Sequence, residues 1–391
     1  MKLIAKGCIL LVFFTLSSVQ QTKAQSYNNF YGGIVNNTSF DSLQNNILDF
    51  ASFGVKEVGT AANANALNWL INKYTAFGYT DIEIDTFTYS GDFAYNLIVT
   101  KTGTLYPNRY VIIDGHYDTK NGQGANDNGS GISIILETAR LLKDIDTEFS
   151  VKFINFSAEE VGLVGSSHYV SNVVVPQNLD IKILLNIDEV GGVNGDVNNT
   201  IVCERDENNI PSTNNVTSAN YTDTLARCMQ LYSNLFTTIS YAYSSDYMPF
   251  QSAGEIITGL FEENQSPYPH TVSDVFSNLD MNYVFEVAKG TVGASLYYAV
   301  ALDSANSINE LNQNNFVLYP NPASGFITIA FDQEKNVNGN LKIVNLLGKV
   351  VYENNINEAT IILDINPFAS GIYYLIIESD GLNQTQKFMV R

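Results

Sequence analysis

The chain has 391 residues, 45% of them hydrophobic, with 40 acidic side chains against 20 basic ones. That length allows one large domain or two to three smaller ones, and the apolar content excludes disorder throughout. The formal net charge of −20 argues against nucleic acid or an anionic membrane surface as the main partner.

The start reads "MKLIAKGCILLVFFTLSSVQQTKAQS". Lys2 and Lys6 form a charged beginning, Gly7 to Leu16 is apolar, and Ala24 offers a small residue for cleavage. This predicts a secretory signal peptide over 1–24, because the apolar run is short for a membrane span. Cleavage removes Lys2, Lys6 and Lys23 but no acid, so the mature chain is more acidic still. Cys8 leaves as well. Cys203 and Cys228 then face an oxidising compartment, where a disulfide and two buried thiols are both open to them. No CxxC pattern points to a thiolate metal site. No later segment is long and apolar enough to cross a bilayer.

Residues 25–60 are polar with scattered aromatics, and no element is assigned there. The sequence leaves open whether 25–55 form a prosegment or pack on the domain. "NANALNWLINKYTAFGY" carries Ala66, Leu67, Leu70, Ile71 and Tyr74 at helical spacing, and Gly78 stops it. The runs "IEIDTFTY", "AYNLIVTKTG" and "RYVIIDGHYD" predict strands. "GISIILETARLLKD" is again helical, with Ile132, Ile135, Leu136, Ala139 and Leu142 on one side. "FSVKFINFSAEE", "IKILLNIDEVGG" and "EIITGLFEEN" are short apolar runs suited to strands buried on both faces. "NYVFEVAKGTVGASLYYAVALD" predicts a closing helix. The alternation predicts an α/β domain over 25–303, with a mostly parallel or mixed central sheet flanked by helices. "SANSINELNQNN" marks a linker over 304–315. Short alternating strands between Gly, Asn and Pro turns then predict a small all-β sandwich over 316–391.

The chemistry gathers at strand ends. "VIIDGHYDT" places His116 just after an apolar run, with Asp118 two residues on and able to orient the imidazole. "GANDNGSG" sets Asp127 in a Gly-rich loop before a helix. Glu160 ends "VKFINFSAEE", Asp188 follows "ILLNI", and His270 lies in "SPYPHTVSD". In open α/β sheets the carboxyl ends of strands line the ligand crevice. Two histidines and three carboxylates suit zinc better than calcium, which prefers oxygen ligands alone. Five ligands exceed one closed zinc site and suit two metals sharing one carboxylate. Two metals about 3.5–4 Å apart would polarise a carbonyl and generate hydroxide near neutral pH. Such a site needs a general base that is not a ligand, and Glu159 is the candidate. Alternation in an extended segment would turn it away from Glu160. His168 in "GSSHYV" reads as a structural histidine.

At these residues the chain resembles the co-catalytic di-zinc exopeptidases that include bacterial secreted leucyl aminopeptidases. "GHYDT", "GANDNGSG", "AEEVGLVGS", "NIDEVG" and "PYPHTVSD" carry the resemblance, in that order, across 59–302. It implies a zinc exopeptidase fold and two zinc ions. It implies His116, Asp127 and Asp188 on one ion, with Asp127 bridging to Glu160 and His270 on the second. Glu159 becomes the general base and Asp118 the partner of His116. "YAYSSDYMPF" is similar to the family's Ser-Asp-His segment, but Tyr247 stands where the histidine is usual. Asp246 is a candidate supporting group there. Tyr241 and Tyr243 are candidates for holding the oxyanion.

The tail resembles the C-terminal sorting domains of type IX secretion cargo through "LYPNPASGFITI", "VNLLGKVVY", "ASGIYYLIIES" and "KFMVR". That implies export through the periplasm and outer membrane, to the medium or the cell surface. The expected protein is a secreted zinc aminopeptidase acting on peptide substrates, meeting the secretion machinery through its tail, and monomeric. Two other readings stand beside it. One is a glutaminyl-peptide cyclase on a related fold. The other is a non-catalytic binding protein on a peptidase scaffold.

Overall fold

The computed structural model describes residues 26–303, 316–331, 339–346, 348–356, 358–379 and 382–391. The expected signal peptide, 1–24, and linker, 304–315, lie outside the described residues. The chain divides into two compact units, one through Leu302 and one from Asp303.

The N-terminal segment is helical, with α1 (Asn29–Val35) and α2 (Phe40–Ser52). Ser39 caps α2 by accepting from the Ser42 N–H, and Leu43, Ile47, Phe50 and Ala51 form its buried stripe. This amphipathic helix was hidden by polar residues between its contact positions. The Ser39 N–H donates to Glu137 Oε1 at 2.7 Å, and the Tyr31 hydroxyl to the Ala301 carbonyl at 3.2 Å. Residues 26–56 therefore pack as part of the unit. α3 (Ala61–Ala76) buries Ala66, Leu67, Leu70 and Tyr74, as its spacing predicts.

Next come β1 (Ile82–Tyr89), β2 (Asp92–Lys101), β3 (Tyr106–His116), α4 (Gly129–Leu142) and β4 (Phe149–Phe156). They are followed by α5 (Val164–Tyr169), α6 (Val175–Gln177), β5 (Asp180–Ile187), β6 (Thr200–Arg205) and α7 (Asn215–Tyr232). The unit closes with β7 (Phe236–Tyr241), α8 (Tyr247–Ser252), β8 (Ile257–Glu262) and α9 (Met281–Ala299). One mixed sheet has the order β1-β2-β4-β3-β5-β8-β6-β7. The central strands β4, β3, β5 and β8 run parallel, so their carboxyl ends share one edge. Every residue of β4 is buried, which explains why these strands read as unbroken apolar runs. The chain passes from β3 to β4 on one side and then to β5 on the other. That reversal opens a crevice at the strand ends. Gly131 keeps it tight: a Cβ there would stand 2.4 Å from the Ile187 carbonyl oxygen. Cys203 and Cys228 are separate buried thiols.

The second unit has β9 (Phe316–Tyr319), β10 (Phe326–Phe331), β11 (Gly339–Asn345), β12 (Val350–Ile356), β13 (Thr360–Asp364), β14 (Gly371–Ser379) and β15 (Leu382–Val390). They form two antiparallel sheets, β13-β10-β9 and β12-β11-β14-β15, which share one apolar core.

Candidate metal centre

The shared edge brings the five ligand-type residues together in two clusters, His116–Asp127–Asp188 and Asp127–Glu160–His270. His116 Nε2 lies 3.2 Å from Asp127 Oδ1 and 3.3 Å from Asp188 Oδ1. His270 Nε2 lies 3.2 Å from Asp127 Oδ2 and 2.7 Å from Glu160 Oε2. Asp127 is the common member and offers one oxygen to each cluster. His116 Nδ1 donates to the Asp118 carbonyl at 3.1 Å, which leaves Nε2 free to face the carboxylates.

Glu159 and Glu160 face different histidines. Glu159 Oε2 is 3.9 Å from His116 Nε2, while Glu160 turns to His270. Strand alternation is not the cause, because β4 ends at Phe156. The divergence comes from a turn: Ala158 is left-handed (φ 62°), and the Glu159 carbonyl accepts from the N–H groups of Gly162 and Leu163.

The charges show what the site is suited to hold. Burial, reinforced by Asp127, pushes Glu160 up to about 8 against the pull of the histidines. Burial also pushes Glu159 up to about 7, opposed by His116 and reinforced by Asp188, Asp118 and Asp127. Burial disfavours the His116 cation, yet Asp188, Glu159 and Asp127 raise it well above the usual range. Asp127 holds His270 up to about 9. Among the described residues, the enclosed Glu160 side chain has no well-formed hydrogen bond, although its Oε2 lies 2.7 Å from His270 Nε2. Such groups call for a cation. Zinc ligands at bond lengths of about 2.0–2.1 Å stand about 3.3 Å apart around a tetrahedron. Three of the observed donor spacings, at 3.2–3.3 Å, fit that figure, while His270 to Glu160 at 2.7 Å is tighter.

Three carboxylates hold the clusters in place. Asp118 Oδ1 and Oδ2 accept from the N–H groups of Glu159 and Glu160 at 3.2 and 3.3 Å. Its carboxylate is 3.7 Å from His116 Nδ1, so it clamps the glutamate turn more closely than the imidazole. Asp274 accepts from the Asn126 N–H at 2.7 Å and the Asp127 N–H at 3.1 Å. Glu262 accepts from Asn126 Nδ2 and from the N–H groups of Gly192 and Ser266. Ser245 Oγ donates to Asp188 Oδ2 at 2.8 Å. Lys56 is fully buried, and its ammonium donates to the carbonyls of Gln123, Gly54 and Phe50 at 2.7, 2.9 and 3.3 Å. Sequence reasoning missed Asp274, Glu262, Ser245 and Lys56. Asp274 and Ser245 did sit inside the quoted motifs.

Asp246 is fully buried with no hydrogen-bond partner among the described residues, and burial raises its acid well above the usual range. Tyr241 and Tyr243 are both 58% exposed, with ring centres 5.4 Å apart. Tyr247, in the histidine's place, is buried, and its hydroxyl accepts from the Tyr243 N–H at 3.3 Å. His168 belongs to other contacts: Nε2 lies 3.2 Å from Asp85 Oδ1, and the ring stacks on Phe87.

Comparison with known proteins places this geometry in context. Residues 96–293 match the profile described as Peptidase family M28, and residues 317–391 match the Secretion system C-terminal sorting domain. Aminopeptidase YwaD of Bacillus subtilis (strain 168) is 33% identical over 199 residues, which are 49% of this chain and 41% of YwaD. The chain spans less than half the length of the first curated relatives it matches. The fold is similar to that of the Legionella pneumophila LapA aminopeptidase. There the TM-score is 0.62 at 21% identity, covering 76% of this chain and 81% of LapA. It is also similar to Bacteroides thetaiotaomicron glutaminyl cyclase. That match has a TM-score of 0.54 at 19% identity, covering 66% of this chain and 97% of the cyclase. At these identities the likeness is one of fold.

Proposed function

The chain belongs to peptidase family M28, and from that premise we propose that it is a secreted aminopeptidase working with two zinc ions. His116, Asp127 and Asp188 would hold one ion, and Asp127, Glu160 and His270 the other. The observation that carries this reading is Asp127, whose two oxygens serve two otherwise complete ligand clusters. When bound, the ions would polarise the scissile carbonyl and acidify the attacking water.

Glu159 supplies the proton transfer. Its carboxylate takes a proton from the water and returns it to the leaving amine nitrogen. Asp118 positions it through the Glu159 N–H, and the same carboxylate fixes Glu160 next door. The substrate's free α-amino group would be held at the metal centre, which directs cleavage to the N-terminal residue. The sorting domain directs the chain to the medium or the cell surface, and no helix among the described residues is long and apolar enough to cross a membrane.

A panel of aminoacyl reporter substrates, run with chelator and after zinc is restored, tests this reading. Turnover should vanish with chelator, return with zinc, and fail on N-acetylated reporters. Unchanged turnover in chelator would overturn it. A peptide with N-terminal glutamine should be hydrolysed rather than cyclised, and cyclisation would favour the cyclase reading.

A further inference from the structure

A cavity of about 320 Å³ lies against β6, β7 and β8. The strand register places Val202 beside Thr238 and Phe261, and Glu204 beside Ser240 and Gly259, so these residues share one face. Glu204 is 5% exposed. Gly259 makes room for it: a Cβ there would stand 2.6 Å from Glu204 Oε2. The lining includes the carboxyls of Glu204, Glu262 and Glu263 and no Lys or Arg. Glu262 is occupied with Asn126, Gly192 and Ser266, while Glu263 accepts from Thr238 Oγ1 at 2.7 Å. Glu204 has the Tyr247 hydroxyl as its hydrogen-bond partner and no cation in the lining, and burial pushes its acid up to about 8.

Two wall residues connect the cavity to groups that hold the metal centre. Tyr243 forms part of its wall and lies two residues before Ser245, which holds Asp188. Glu262, also in the wall, holds Asn126 next to Asp127.

We propose that this cavity receives the side chain of the substrate's N-terminal residue and selects a basic one, arginine or lysine, through Glu204. The inference rests on the aminopeptidase reading. Val202 and Phe261 offer apolar surface to the aliphatic stem, while the cationic end meets Glu204 in a lining that also holds Glu263. A neutral side chain would cover Glu204 and leave it without a countercharge.

The test compares kcat/KM for arginyl, lysyl, leucyl and methionyl p-nitroanilides with the zinc-loaded full chain. Basic reporters should exceed leucyl by about tenfold or more, and Glu204→Gln should cut the arginyl-to-leucyl ratio by a similar factor. Calorimetry of wild-type protein with argininamide and leucinamide gives the same comparison without a variant, and argininamide should bind more tightly. A leucyl or methionyl preference, an unchanged ratio in Glu204→Gln, or equal binding of the two amides would overturn the inference. Cleavage of no reporter at all would instead sink the aminopeptidase reading, and the two amides would still decide the pocket's preference.

Discussion

Asp127 stands between His116 and His270, with Oδ1 3.2 Å from one imidazole and Oδ2 3.2 Å from the other. A single side chain therefore couples the two clusters, and an amide in its place offers only one oxygen. Asp127→Asn is expected to bind fewer than two zinc ions per chain and to lose about 100-fold or more in kcat/KM. Metal analysis by mass spectrometry alongside kinetics checks it. Retention of both ions with full turnover would show that no bridge is needed.

Asp274 is expected to matter without touching a ligand atom. Its two oxygens hold the N–H groups of Asn126 and Asp127, which fixes the loop carrying the shared carboxylate. Asp274→Asn should weaken zinc binding by about 10–100-fold. It should also destabilise the zinc-free protein by about 1–3 kcal/mol, because one N–H loses its acceptor. Competition with a zinc chelator and thermal unfolding measure the two effects.

Lys56 gives a pH signature. Burial lowers its ammonium from 10.5 to about 7, although Asp274, Asp118 and Asp127 pull the other way. Between those two values the folded chain binds fewer protons than the unfolded chain. Stability contributed through Lys56 therefore rises with pH from about 7 to 10.5 and is smallest below that window. Replacing it by methionine should flatten this slope. Parallel slopes for Lys56→Met and wild type in denaturant titrations across the window would refute the assignment.

Much of this architecture is legible in residue order. Buried parallel strands read as apolar runs, and His116, Asp188 and the two glutamates were visible because each follows such a run. The N-terminal helix α2 was not assigned, since Asn, Gln and Asp separate its buried positions. The groups that hold the ligands were less visible still. Asp274 bonds backbone 148 residues away, and no periodicity records that contact. Lys56 looks like a surface residue by type. Its burial depends on three carbonyls converging from α2, its own loop and the Gln123 loop. The different directions of Glu159 and Glu160 were expected from strand alternation but arise from the turn at Ala158.

The most direct test of the account is Glu159→Gln, assayed for zinc content and reporter hydrolysis on the same preparation. Glu159 lies 3.9 Å from His116 Nε2 and outside both ligand clusters. The account predicts two zinc ions per chain, unchanged from wild type, with turnover reduced by about 100-fold to 10,000-fold. Wild-type turnover in this variant would contradict it, because no other group has been given the proton.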